Sequence, residues 1–110
     1  MNSGVGDGLA VDVQHRDGAS VLTVRGVMDY WNILPLREAV EEAVADDVPR
    51  LVLDLGAVTF VDSTGLALLI TADDSMRRRG GSLRVLHPGE QLTRLLQITN
   101  LDGRLPVQYD

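Results

Sequence analysis

The chain has 110 residues, 45% of them apolar and 24% charged, a balance typical of one soluble globular domain with no room for a second. It contains no cysteine, which excludes disulfides, thiolate zinc sites, iron–sulfur clusters and a cysteine nucleophile. Ten basic against sixteen acidic residues give a net charge of −6, and every base is arginine. A P-loop or Schiff-base lysine is therefore impossible, and a net acidic surface repels nucleic acid. The short run Arg77-Arg78-Arg79 is too brief to act as a nucleic-acid stripe.

No apolar run approaches the roughly 20 residues of a membrane span, since Leu66 to Ala72 stops at Asp73-Asp74. Met1 to Gly8 has neither the basic start nor the apolar core of a signal peptide. With His15 and His87 as the two histidines, metal catalysis is poorly supplied. The expectation is a cytoplasmic protein that needs no metal and no cofactor and does not bind membranes or nucleic acid.

Residues 1–8 are small, polar and glycine-rich, and are expected to form a flexible lead-in to a single domain over residues 9–110. Leu9, Val11 and Val13 alternate, Arg16-Asp17-Gly18 supplies turn chemistry, and Val21 to Val24 is β-rich, which predicts a hairpin closed at Gly26. Val27 to Ile33 reads as irregular. From Pro35 the period changes: Leu36, Ala39, Val40, Ala43 and Val44 recur at helical spacing, with proline placed as a helix start prefers. Leu51 to Leu55 is a short, nearly continuous apolar run that predicts a central strand buried on both faces.

Gly56 to Val61 reads as a lead-out, and Asp62-Ser63-Thr64-Gly65 opens a second helix through Leu66, Leu69, Ile70 and Met76 that stops at Gly80-Gly81. Ser82 to Leu86 reads as a strand, Glu90 to Ile98 as a third helix and Leu105 to Gln108 as a short final strand. The order implies an α/β fold with a mixed sheet of about four to five strands and helices packed against it.

The chemistry concentrates where strand meets helix. Ser63 stands at a helix N-terminus, where its hydroxyl is expected either to cap the helix or to accept a phosphate, and Gly65 is expected to keep the approach open. Asp62 reads as a cap-region carboxylate. A nucleophile elbow would need glycine at Val61 and a histidine base close by. Aspartyl-phosphate chemistry at Asp54 or Asp62 would want a lysine, and no GxGxxG or GxxxxGK motif occurs.

The stretch Thr59-Phe60-Val61-Asp62-Ser63-Thr64-Gly65-Leu66, preceded by Leu51 to Leu55, closely resembles the signature of the STAS domain family, in particular bacterial anti-sigma factor antagonists. Gly26-Val27-Met28-Asp29 with Leu34 to Glu38, Gly80 to Val85, and Leu92 to Leu101 extend the resemblance over roughly Leu9 to Val107. Val27 stands where the family usually has glutamate, Tyr30-Trp31-Asn32 replaces smaller polar residues, and Asp73-Asp74 replaces a lysine or aromatic.

The resemblance implies a partner-switching protein and not an enzyme. Its unphosphorylated form would bind an anti-sigma factor that is a GHKL-type serine kinase, freeing the sigma factor. The kinase would phosphorylate Ser63, with Thr64 as the second choice, and a PP2C-type phosphatase would reset the switch. Asp29 would lie beside the acceptor and help kinase binding. Asp29, Trp31, Asp62, Ser63, Thr64 and Gly65 form the expected partner surface of a monomer or weak dimer. A STAS scaffold or sensor-complex subunit that is never phosphorylated is the first alternative, and a small nucleotide-binding or hydrolase domain the second.

Overall fold

A computed structural model describes residues 3–5 and 8–108, the first three by their backbone only. Six strands lie in one sheet in chain order: β1 (Ser3–Val5), β2 (Leu9–Arg16), β3 (Ala19–Met28), β4 (Arg50–Val61), β5 (Ser82–Leu86) and β6 (Val107–Gln108). The first two pairings are antiparallel and the remaining three parallel. Three helices make the parallel crossovers: α1 (Leu34–Ala45), α2 (Ser63–Arg78) and α3 (Gly89–Ile98). Crossovers of this kind are right-handed. Because the strand order advances in one direction, all three return over the same face.

The mixed α/β class is as the sequence implies, with three extensions. Residues 1–8 were expected to be a flexible lead-in, yet Ser3–Val5 pairs with β2, placing Ser3 opposite Asp12 and Val5 opposite Ala10. An edge strand is held by backbone hydrogen bonds and needs no apolar side chains of its own; Met1, Asn2, Gly6 and Asp7 lie outside the described residues. Gly26 does not close β3: it takes φ 102 at a register shift, and the strand continues to Met28. A Cβ there would stand 2.2 Å from the Gly8 carbonyl oxygen, so only glycine fits. β4 likewise runs on through Gly56 to Val61, pairing Phe60 with Val27 and Val61 with Met28.

The hairpin between β2 and β3 turns on Asp17 and Gly18, both with positive φ, the two-residue geometry that matches strand twist. The core takes alternate residues of each strand: Leu9, Val11 and Val13; Leu22, Val24 and Met28; Leu51, Leu53 and Leu55; Leu83 and Val85. Onto these pack Leu36 and Val40 of α1, Leu66, Leu69 and Met76 of α2, and Leu92 and Leu96 of α3. β4 is thus buried on one face rather than two, since Val52 and Asp54 are only half-buried.

Asp73 explains one departure from the family pattern. It is 1% exposed, and its carboxylate receives Arg77 and Arg104, each at 2.9 Å. Arg104 also pairs with Asp74. A buried carboxylate is tolerable only when paired in this way, and the pairing ties the segment before β6 to α2.

Candidate functional site

The site forms where β3 ends, β4 ends and α2 begins. The Asp62 amide donates to the Met28 carbonyl at 3.2 Å, which brings the residues after the two parallel strands side by side. Asp62 is the N-cap of α2: its Oδ1 accepts from the Thr64 N–H at 2.8 Å and the Gly65 N–H at 3.2 Å. The expected capping role therefore belongs to Asp62, and Ser63 is the first helical residue. Ser63 is exposed and Thr64 half-buried. Among the described residues no hydrogen bond engages the Ser63 hydroxyl.

Asp29 organises the neighbouring loop. Its Oδ1 accepts from the Trp31 N–H at 3.1 Å, the Asn32 N–H at 3.0 Å and Asn32 Nδ2 at 2.7 Å. The loop is joined to the start of α2 by the Tyr30 N–H, which donates to Asp62 Oδ2 at 3.3 Å. Asp62 thus holds two elements with one carboxylate. The same loop presents Trp31, 84% exposed, and Tyr30, 67% exposed, whose rings meet edge-to-face at 5.0 Å. The Trp31 ring faces solvent.

Gly65 requires a correction. It is buried, and a Cβ would come within 2.7 Å of the Met28 carbonyl oxygen and 3.1 Å of Val61 Cγ1. Its smallness lets the first turn of α2 sit against the end of β3 and does not open the approach to Ser63. Asp29, Trp31, Asp62, Ser63 and Thr64 do come together at one end of the sheet.

Gln91 and Arg37 also contribute, and neither was expected at the site from the sequence. Gln91 Oε1 accepts from the Val61 N–H at 2.7 Å, so α3 braces the end of β4. No local pattern announces that contact, because it joins residues thirty positions apart. Tyr30 and Arg37 line a groove of about 880 Å³ between α1 and α2, with Ser63 and Thr64 at one end and Val40 and Leu68 among its apolar residues.

Farther along the sheet, Asp54 Oδ1 accepts from the Gly56 N–H and lies 3.0 Å from His87 Nδ1. Burial opposes ionisation of Asp54, but the Gly56 and His87 contacts outweigh it and hold its carboxyl below the ordinary carboxylate range. Among the described residues no hydrogen bond links Asp54 or His87 to Ser63 in the Ser-His-Asp arrangement of a hydrolase. No group of metal-ligating side chains occurs among the described residues, and no described helix is long and apolar enough to cross a membrane.

The chain is similar to several known proteins. The STAS domain family model matches residues 10–110. The anti-sigma-F factor antagonist RsfB of Mycobacterium tuberculosis is 34% identical over 98 residues, covering 87% of this chain and 78% of its own. The anti-sigma-B factor antagonist of Bacillus subtilis is 31% identical over 99 residues, 90% of either chain. The crystal structure of an anti-sigma factor antagonist from Mycobacterium paratuberculosis superimposes with a TM-score of 0.84 at 32% identity, covering 97% of this chain and 91% of that one. With a family model spanning nearly the whole sequence and a matching fold, the chain belongs to the STAS domain family.

Proposed function

We propose that this protein is an anti-sigma factor antagonist, a non-enzymatic binding module switched by phosphorylation of Ser63. The observation that carries the reading is the exposed Ser63 hydroxyl on the first turn of α2, beside the projecting Trp31. The relatives named above are antagonists of anti-sigma factors, which supports the same role here.

In its unphosphorylated form the protein binds a GHKL-type anti-sigma factor serine kinase in the cytoplasm and releases the sigma factor. The kinase supplies ATP, Mg²⁺ and the base, so the substrate needs only a reachable hydroxyl. Ser63 Oγ attacks the γ-phosphorus, its proton passes to the kinase base, and ADP leaves. Asp62 already occupies the Thr64 and Gly65 N–H groups, so the new phosphate gains little from the helix terminus and projects outward beside a carboxylate. About −1.5 to −2 charges then stand in the contact surface, and repulsion with steric bulk separates the pair. A PP2C-type phosphatase restores Ser63.

Affinity for the kinase, measured for wild type and Ser63→Asp, tests this reading. A drop of tenfold or more for Ser63→Asp supports the switch. Equal affinity identifies a constitutive scaffold instead.

A further inference from the structure

The groove between α1 and α2 has an acidic and a basic residue on one wall, one helical turn apart. Arg37 and Glu41 both line it and both are exposed. Neither forms an ion pair with another described residue. At the start of the same helix Leu34 is 56% exposed; toward its end Val44 and Ala45 line the groove. Along this face of α1 stand exposed Leu34, Arg37, Glu41 and then Val44 and Ala45, with exposed Glu38 and Glu42 on its flank.

Such a series complements its own reverse. In a two-fold contact residue i meets j and j meets i. When two copies of α1 run antiparallel about an axis midway between Arg37 and Glu41, each arginine faces the other copy's glutamate. At a rise of about 1.5 Å per residue, the same axis brings Leu34 opposite Val44 and Ala45. One operation thus satisfies both charges and covers the exposed Leu34 and Ala45 beside the half-buried Val44.

We propose that the α1 wall of this groove is a self-association surface, whose occupant is a second copy of this chain packed antiparallel along α1. A stable interface takes roughly 800 Å² from each partner, about an eighth of the 6154 Å² surface of this chain. A twelve-residue helix supplies a short contact, so the dimer is weak and its population follows concentration. Ser63 and Thr64 line the same groove, and dimerisation therefore competes with access to the acceptor serine. That last consequence rests on the proposed switch; the contact itself does not.

Sedimentation velocity at rising concentration, on wild type, Arg37→Glu, Glu41→Arg and the double swap, tests the contact. Wild type is expected to pass from monomer to dimer. Each single variant places like charges opposite each other and weakens the dimer by about tenfold or more, while the double swap restores it. An equimolar mixture of the two single variants forms a heterodimer that neither forms alone. Ala45→Arg, which sets a charge against Leu34, also disrupts the dimer.

A wild type that stays monomeric throughout, single variants that dimerise as wild type does, or a double swap that remains monomeric overturns the proposal. Circular dichroism on each variant confirms folding, which exposed side chains do not control. Phosphorylation of Ser63 in the monomeric variants remains a separate measurement, so a failed contact and a failed switch are told apart.

Discussion

The Asp62 carboxylate caps α2 with one oxygen and with the other accepts the Tyr30 N–H at 3.3 Å. The N-terminus of the helix that carries Ser63 and the loop that carries the exposed aromatic pair are thereby joined through a single side chain. An interface anchor held in its bound conformation loses less entropy on association, which fits an exposed tryptophan on a loop otherwise fixed by Asp29.

Asp62→Ala removes the cap, and a loss of about 1 kcal/mol in stability is expected. Amide hydrogen exchange should show the Tyr30 N–H released along with the first turn of α2. Unchanged protection at Tyr30 would mean that Asp62 serves the helix alone.

Gly65→Val should fail by packing rather than by blocking a partner. The new side chain meets the Met28 carbonyl and the Val61 side chain, an overpacking that costs about 1–3 kcal/mol. Thermal unfolding checks this: a melting temperature equal to that of wild type contradicts the packing account.

Trp31→Ala should weaken kinase binding by about tenfold or more, as loss of an aromatic hot spot does. Because the ring is exposed, stability should stay within about 0.5 kcal/mol of wild type. Calorimetric titration alongside thermal unfolding separates the two effects, and equal affinity removes Trp31 from the interface.

The Asp54 pair makes a pH prediction. A carboxyl whose folded pKa is depressed adds stability that is complete above its unfolded pKa, near the usual value of about 4. That stability is lost as pH falls through the lower folded value. Asp54→Asn should therefore reduce stability near neutral pH and flatten this part of the acid limb. Denaturant titrations between neutral and strongly acidic pH test it; parallel curves for the two proteins would assign the pair no such role.

Much of the architecture is legible in local patterns. Alternating Leu9, Val11 and Val13, the Asp17-Gly18 turn and the helical spacing from Leu36 to Val44 all find their elements. Less legible are features set by neighbours distant in sequence. Ser3–Val5 pairs through its backbone, and β4 extends past Gly56 because Val27 and Met28 offer it a partner.

At the site, the motif locates Ser63 and Asp62, but spacing alone cannot divide the capping role between them. Gly65 reads as an opening in sequence because its neighbour Met28 is far away along the chain. Asp73 looks like a surface residue until Arg104, thirty-one positions later, is seen to cover it.

The proposed function turns on Ser63 as the switch. Intact-mass spectrometry of wild type and Ser63→Ala, each incubated with ATP, Mg²⁺ and the anti-sigma factor kinase purified from the cells that make this protein, tests it most directly. The account predicts one added phosphate on wild type, none on Ser63→Ala, and loss of the kinase complex as the phosphate appears. An unmodified wild type, or a Ser63→Ala variant modified as readily as wild type, would contradict it.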